Sequence, residues 1–387
     1  MANTLTAIDP VFYEAMKQVP RELVGMIPVA QRNAAADRVA LDDASQTPYV
    51  KVPIVTSGAA ADYTAAMTTT AGGDTTPTTV DIAIDNSRQV NWHLNGEQER
   101  NLLNGGTMLD FTRQKIQEGV RVLCNEVEAA LVTACKQSAS RAYGTAGTTP
   151  FATTLLDLTA TLQILDENGA PSYPGARSVV LSPAAKAKLL ALGSYSKANE
   201  AGTDRPLRTG AFADLFGCDV GASGQCTLHT SGVAANYDTD LGATLAAGST
   251  TIHLDTGTGA VLAGDLAIFA GDANKYLVNT GATGDGDKDI VIGAPGLKAT
   301  LADGVDMTDP ADYTPNFVMA NGAVVLAFRN PDIPENANIQ QIPYVDEKSG
   351  LAFLLCRIAG DGMVTYRIHC AYGVKVIQPE FIAIMLG

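Results

Sequence analysis

The chain alternates apolar and polar residues over its clearest strand signals. In VDIAIDNSRQVNWHL, residues 80–94, apolar side chains recur at every second position on either side of a polar break at 85–87. This period of two is typical of strands with one buried face. The upstream segment YVKVPIV, 49–55, predicts an outgoing strand, for which the alternating segment supplies the return. The tip between them, 57–79, is rich in Thr, Ala and Gly, and is either a linker or a loop ordered by another chain.

Helical periodicity is strongest after residue 106. Apolar residues recur there at spacings of three and four, and Thr107 with Asp110 resembles a capping box. Gly144 offers a stop, so the pattern predicts a long helix that could reach about 50 Å. Gly119 inside it indicates close packing or a bend. A shorter helix is predicted over 9–19, followed by an irregular arm over residues 21–48.

Residues 150–220 have the pattern of an α/β unit. It comprises a helix from Thr154 to Gly169, a buried strand SVVL at 178–181, and a second helix that starts at Ser182.

From about residue 224 the pattern changes to short strands separated by Gly, Asp and Thr turns, with no helical period. The predicted strands are 250–255, 265–270, 275–279 and 289–293. Closely spaced short strands favour a small barrel or sandwich. The earlier pattern resumes with NFVMANGAVVLAF, 316–328, which indicates an insertion. Two or three long strands joined by a Gly-Asp-Gly turn are predicted for the C-terminal segment.

Composition and charge narrow the class of protein. The 387 residues are 46% hydrophobic and 17% charged, which excludes a disordered chain. The formal net charge is −15, and no basic block exists that could grip nucleic acid through its phosphates. An acidic chain can still attract a basic protein partner. No apolar run approaches the length of a membrane span, and no signal peptide is recognisable at the start, so we expect a cytoplasmic protein.

Candidate chemistry is sparse. The four histidines form no ligand or catalytic motif, and the adjacent His369 and Cys370 are expected on opposite faces of one strand. The six cysteines contain no C-x-x-C pair and are expected to be free thiols. Asp285, Asp287 and Asp289 alternate like a calcium loop, but the glycine and glutamate that such a loop needs are absent. We therefore expect an acidic, solvated loop or a subunit contact, and neither a metal nor a cofactor.

The order of elements resembles that of the major capsid proteins of tailed bacteriophages, the Hong Kong 97-like fold. The insertion is similar to the branch of short-tailed-phage coat proteins that carry a β-barrel within the axial domain. Three local phrases also look like that branch: AIDPVFYEAMKQVPRELVGMIP, SVVLSPAAKAKLLAL and DLAIFAGDANKYLV.

The resemblance implies an α+β fold with an N-arm, an extended β-hairpin loop, a peripheral domain with a long spine helix, and an axial α/β domain with an inserted small β-barrel. The implied ranges are 1–45 for the N-arm, 46–95 for the extended loop, 96–149 for the peripheral domain, 150–223 for the first part of the axial domain, 224–315 for the insertion, 316–350 for the axial return, and 351–387 for the terminal strands.

The function implied is that of a structural subunit, not an enzyme, which assembles through hexamers and pentamers into an icosahedral shell around phage double-stranded DNA. Its implied partners are further copies of itself, a scaffolding protein, a portal and, optionally, a decoration protein. Assembly in the host cytoplasm and a place in the virion capsid follow. Some members cross-link their shells through a lysine on the extended loop, but none lies between Lys51 and Arg88, so we expect a non-covalent shell.

The candidates for subunit contacts are the bulky or charged residues of the arm, the loop tip and the inserted segment: Phe12, Met16, Tyr63, Met67, Asp285 and Asp287. Two other functions remain open from the residues alone. A tail or surface-lattice protein would suit the Thr/Gly-rich β content but not the long helix. An enzyme with an inserted β domain is disfavoured because residues with a catalytic spacing are lacking.

Overall fold

The computed structural model describes residues 15, 24–31, 49–54, 78–197, 214–242, 244–331, 339–346, 350–360 and 362–387. Within these ranges the protein is α+β, which confirms the fold class at that level. The helices are α1 Met26–Gln31, α2 Gly96–Asn104, α3 Met108–Ser138, α4 Leu156–Glu167, α5 Pro183–Ala191 and α6 Gly193–Ser196. The strands are β1 Tyr49–Ile54, β2 Thr78–Ala83, β3 Asn86–Asn95, β4 Arg141–Tyr143, β5 Arg177–Leu181, β6 Cys218–Ala222, β7 Tyr237–Thr239, β8 Thr251–Asp255, β9 Leu266–Ala267, β10 Lys275–Thr280, β11 Lys288–Ile292, β12 Asp306–Met307, β13 Pro315–Ala320, β14 Val324–Arg329, β15 Ile339–Val345, β16 Ala352–Ala359, β17 Met363–Val376 and β18 Ile382–Leu386.

The strands form three sheets in the described part of the chain. The pair β1–β2 is the hairpin that the alternating pattern predicts, with Tyr49 opposite Ala83 and Ile54 opposite Thr78. A five-stranded sheet has β17 at its centre, with β3 on one side and β14, β16 and then β15 on the other. An eleven-stranded sheet runs β12-β7-β8-β11-β10-β4-β18-β13-β5-β6, with β9 beside β10.

The predicted short strands after residue 224 exist, but the separate barrel is not confirmed. Strand β10 pairs with β4, so the strands of this segment continue directly into the sheet that contains β18, β13 and β5. The reason is that β4, which follows the long helix, pairs with β10 along one edge and with β18 along the other. Among the described residues of 224–315 there is no helix, as predicted.

The long helix α3 packs on one face of the five-stranded sheet. Its 31 residues span about 47 Å, with a continuous buried stripe. A Cβ at Gly119 would lie 2.9 Å from Cδ1 of Ile368 and 3.5 Å from Cγ1 of Val90. The predicted close approach at Gly119 is therefore confirmed, because the helix backbone rests directly on β17 and β3.

Helix α3 begins after Thr107, as predicted, but the predicted capping box and the predicted C-terminal end are wrong. The Thr107 side chain makes no capping bond, and the helix ends at Ser138, before β4, rather than near Gly144. The capping box belongs instead to α2, a helix that was not predicted. There Asn95 accepts from the backbone N–H of Gln98 at 2.8 Å, and Gln98 accepts from that of Asn95 at 3.2 Å.

Other elements follow the pattern more closely. Strand β5 is buried throughout, and Ser182 caps α5 by accepting from the Ala185 backbone N–H at 3.3 Å. Strand β15 was not predicted. The helix predicted over 9–19 lies outside the described residues except for Ala15, which is helical and fully buried. The irregular arm predicted over 21–48 is wrong at 26–31, where α1 forms.

Candidate assembly surfaces

The β1–β2 hairpin is anchored at one end. Its buried side chains Val52 and Ile82, with Ile84 just beyond β2, form a small cluster against β14, β17 and Ile377. On the buried face of β2, Ile82 is fully buried and Val80 is half-buried. Among the described side chains of the hairpin, those that pack on the body therefore lie towards its base, next to the start of β3.

A glycine permits this anchorage. A Cβ at Gly373 in β17 would lie 1.9 Å from the carbonyl oxygen of Ala83, well inside van der Waals contact. The backbone of the hairpin therefore crosses directly over the backbone of β17. Lys375 adds one bond here by donating from Nζ to the Asp81 carbonyl oxygen at 3.2 Å. Together these contacts fix the direction in which the hairpin leaves the sheet.

A buried carboxylate holds the N-terminal segment on the long helix. Glu128 of α3 is fully buried and accepts from the backbone N–H groups of Met26 at 2.7 Å and Ile27 at 3.0 Å. It thereby satisfies two of the N–H groups that a helix start leaves unpaired, which explains why the short α1 forms. Desolvation raises the pKa of Glu128, although its hydrogen bonds to Met26, Ser223 and neighbouring backbone groups oppose the rise. A Cβ at Gly25 would meet the carbonyl oxygen of Ala222 at 2.8 Å, so this approach also requires glycine.

Two aromatic side chains are exposed beside the β6 end of the eleven-stranded sheet. Tyr173 is 70% exposed and Phe216 is 56% exposed. Their loops are joined by a bond from the backbone N–H of Gly175 to the carbonyl of Gly217 at 3.0 Å. Phe216 and Gly217 have φ of 52° and 73° in the tight turn before β6. A bulky residue in this left-handed conformation costs about 1–2 kcal/mol, and such strain tends to persist at functional positions.

A strongly acidic face covers the strands β7, β8 and β11. Its solvent-facing residues are Asp238, Asp240, His253, Asp255, Asp287 and Asp289. His253 lies opposite Asp289, whose carboxylate bonds to its Nδ1 at 2.7 Å and raises its pKa. The carboxylates of Asp255 and Asp287 hydrogen-bond to each other, which raises the pKa of Asp287 and lowers that of Asp255, since two adjacent carboxylates share one proton.

The six candidate contact residues divide into two groups. Phe12, Met16, Tyr63 and Met67 lie outside the described residues. Asp285 and Asp287 are exposed at the acidic end of the β-rich segment. Asp285 accepts from the backbone N–H of Gly259 at 2.7 Å and so also fixes its own turn. The structure therefore places two of the candidates on the protein surface, and their role in subunit contacts stays a prediction.

A polar network of Lys136, His229 and Asp265, which the sequence did not reveal, links α3 to the β-rich segment. Lys136 lies 3.0 Å from Nδ1 of His229, whose Nε2 lies 2.9 Å from the carboxylate of Asp265. Asp265 is fully buried and also accepts from the backbone N–H groups of Gly232 and Leu262. Burial lowers the pKa of Lys136. Because the polar groups of this network satisfy one another, the network is suited to holding α3 and the β-rich segment together.

The arrangement of the remaining reactive groups is that of a packed interior. All six cysteines are free and buried, and burial raises the pKa of Cys226 and of Cys370 to about 12. Burial lowers the pKa of the half-buried His369, which lies on the other face of β17 from Cys370. Among the described residues, no group of three or more His, Cys, Asp or Glu side chains could hold a metal ion. Within the same residues, no helix is long and apolar enough to cross a membrane.

An open depression of about 460 Å³ lies between β4 and the start of α4. Its lining includes five threonines, and its two charged side chains already have backbone partners. Asp157 accepts from the N–H of Phe151 at 2.9 Å, and Lys275 donates to the carbonyl of Gly144. Both charged side chains of the depression are therefore already engaged, and the surfaces above remain the strongest candidates for function.

Comparison with known proteins gives structural matches alone, since no family model and no curated protein matches the chain. A structure from Mycobacterium phage Che8 is 14% identical, with 89% of this chain and 86% of that chain covered and a TM-score of 0.48. The capsid of cyanophage P-SCSP1u is 11% identical, with 88% and 83% covered and a TM-score of 0.45. The virus-like particle from Pyrococcus furiosus is 9% identical, with 99% and 100% covered and a TM-score of 0.43. Structures similar to this chain thus include those of phage capsids, the class that the sequence resemblance indicates, but likeness at this level does not assign a function.

Proposed function

We propose that the chain is a major capsid protein of the Hong Kong 97-like fold, a structural subunit that assembles through hexamers and pentamers into an icosahedral shell around phage double-stranded DNA. The observation that carries this proposal is the hairpin β1–β2, which is built as a strand pair and whose described contacts with the body lie at its base. A two-stranded hairpin alone is at best marginally stable in water. A subunit whose hairpin is covered by a neighbouring copy resolves this difficulty.

The rest of the fold supports a surface built for repeated contacts. The backbone crossing at Gly373 fixes the direction in which the hairpin leaves the sheet, and Glu128 holds the N-terminal segment beside the long helix. Tyr173 and Phe216 expose aromatic surface at one end of the large sheet, where contacts around a hexamer or pentamer axis would cover them. Each contact is modest, and closure of the shell sums them without covalent cross-links.

The division into domains is part of the proposal. The N-arm would be 1–45, the extended loop 46–95, the peripheral domain 96–149, the axial domain 150–223 with its return at 316–350, the inserted domain 224–315, and the terminal strands 351–387. Because β10 pairs with β4, the inserted domain would extend the eleven-stranded sheet and so brace the subunit.

The acidic surface supports the remaining roles. A shell that must enclose DNA without holding it benefits from carboxylates, which repel phosphate. The face on β7, β8 and β11 would also attract a basic segment of a scaffolding protein. A portal and an optional decoration protein complete the proposed partners, with assembly in the host cytoplasm and a final place in the virion capsid. We propose no enzymatic activity and no cofactor.

Expression of the full chain tests the proposal directly. The purified protein should form closed megadalton shells by electron microscopy and light scattering. Replacing Tyr63 and Met67 together by serine should leave the subunit folded and reduce shell formation, since both are large apolar groups on the loop tip. Tubes or flat sheets would favour a tail or surface-lattice protein. A compact monomer that persists at high concentration would contradict the proposal, and normal shells from the double variant would exclude these two residues as anchors.

A further inference from the structure

Strand β3 has one paired edge and one open edge. It pairs with β17 over ten residues, from Asn86 opposite Tyr372 to Asn95 opposite Met363, without a bulge. Among the described strands, no other pairs with β3. The strand is well exposed for a member of a five-stranded sheet, and of its ten residues only Leu94 is buried. A long, regular edge of this kind is a template for another strand.

Apart from Arg88, whose guanidinium pairs with Glu126 of α3 at 2.7 Å, the open edge carries none of the usual protection. Natural edge strands are commonly blunted by proline, lysine, bulges or short length. Strand β15, at the other side of the same sheet, contains Pro343. Strand β3 contains neither proline nor lysine, and in this strongly acidic chain it contains no aspartate or glutamate either. Two copies with a net charge of −15 each can therefore meet at this edge without opposing carboxylates.

An apolar row lies beside the edge on the helix side of the sheet. Val90 and Trp92 are half-buried, and Trp92 stacks on Tyr366 with ring centroids 5.5 Å apart. The indole N–H of Trp92 is shielded from solvent and has no acceptor in the described part of the chain. Val122 of α3 lies on the helix stripe between Gly119 and Glu126, which contact Val90 and Arg88, and it is 44% exposed. These apolar side chains therefore resemble core residues that are left uncovered on the side of the open edge.

We infer that the open edge of β3 pairs with β3 of a second copy, antiparallel and across a two-fold axis, to join two five-stranded sheets into one. The inference rests on the proposed function, since it assigns one of the contacts from which the shell is built. Main-chain bonds would supply affinity, and the added strand would cover Val90, Trp92 and Val122.

The sequence of β3 is complementary to itself in this arrangement. In an antiparallel pair, residues directly opposite point to the same face, so only registers that pair residues of equal parity keep the apolar row together. With Asn91 opposite itself, Val90 of each copy lies across from Trp92 of the other, an aromatic and β-branched pair. With Val90 opposite itself, Arg88 lies across from Trp92 of the second copy. In both registers the two Asn91 side chains are neighbours on the outer face, directly opposite or diagonal.

Paired charge variants at Asn91 test the inference. Asn91 is exposed, so Asn91→Lys and Asn91→Glu should both fold like the wild type. Each variant alone brings two like charges together across the axis and should lose most of the shells seen by sucrose gradient and electron microscopy, and most of the dimer seen by mass photometry of unassembled subunits. Co-expression of the two variants sets lysine against glutamate and should restore both. The matched controls Thr159→Lys and Thr159→Glu, on the exposed side of α4, should assemble normally.

The outcomes separate this inference from the proposed function. Normal shells and dimers from each Asn91 variant alone would overturn the inference while leaving the capsid proposal intact. Loss in both single variants without recovery on co-expression would show that β3 pairs with a different segment, which also overturns it. If the wild type forms no shells, the capsid proposal fails, and the dimer measurement alone decides whether β3 pairs with itself.

Discussion

The contact between Glu128 and the N-terminal segment provides the sharpest test of how this fold is held together. Glu128→Ala removes the acceptor of two backbone N–H groups, those of Met26 and Ile27, at 2.7 and 3.0 Å. All three residues are fully buried, so water cannot readily replace the lost acceptor. An unsatisfied buried donor costs about 1–3 kcal/mol, so two cost about 2–6 kcal/mol. Removal of a desolvated carboxylate offsets part of this, and we expect the free energy of unfolding to fall by about 2–4 kcal/mol.

Urea denaturation of the soluble subunit, followed by circular dichroism, measures this loss. Glu128→Gln keeps one acceptor oxygen and places an amide group near the second N–H, so it should lose about half as much. Glu118→Ala is the matched control on the same helix, because Glu118 is exposed and its ion pair with Lys115, at 3.3 Å, lies on the helix surface. Its stability should stay within about 0.5 kcal/mol of the wild type. The segment before α1 should also become more susceptible to proteases in Glu128→Ala.

The contribution of Glu128 to the free energy of unfolding changes with pH in a defined direction. Burial raises the pKa of Glu128 in the folded state above its unfolded value, so the folded state favours the protonated acid. Its contribution is therefore fully present below the unfolded pKa and is lost as pH rises through the folded pKa. Relative to Glu128→Gln, the wild type should become less stable as pH rises from about 4.5. A Glu128→Ala protein with wild-type urea stability and protease resistance would refute the assignment of Glu128 as the anchor of α1.

Three further predictions follow from single contacts. Gly373→Ala should destabilise the subunit by about 1–3 kcal/mol and displace the hairpin base, because its Cβ would meet the Ala83 carbonyl; an unchanged urea midpoint and normal shells would contradict the crossing. Phe216→Asn should raise the free energy of unfolding by about 1 kcal/mol, because Asn tolerates positive φ, yet reduce shell formation; unchanged assembly would remove the aromatic from the contact surface. The pKa of His253, followed by NMR, should lie above that of a free histidine and return towards it in Asp289→Asn. The small stabilisation from this pair should be present below about pH 6.5 and be lost as pH rises through the raised pKa, whereas an identical titration in Asp289→Asn would exclude the carboxylate as its cause.

Local sequence patterns determined much of this protein. The period-two alternation at 80–94 and the strand at 49–55 are enough to predict β1, β2 and β3, because one face of each strand is apolar. Spacings of three and four predict most of α3 for the same reason. The change of pattern near residue 224 marks the β-rich segment, because its short apolar runs between glycine and aspartate turns lack the spacings of three and four that a helix requires. The candidate contact residues are also predicted from the sequence, but of the six only Asp285 and Asp287 fall within the described residues.

Only the tertiary structure decided which elements meet. Helix α1 is too short to form alone, and the carboxylate that starts it belongs to a residue 102 positions away from Met26. The alternation of β3 does not specify β17 as its partner, and the short strands do not reveal that β10 joins β4. The chain Lys136, His229 and Asp265 is likewise assembled from distant segments. A sequence pattern encodes which side of an element must be buried, whereas the identity of the covering surface depends on contacts between residues far apart along the chain.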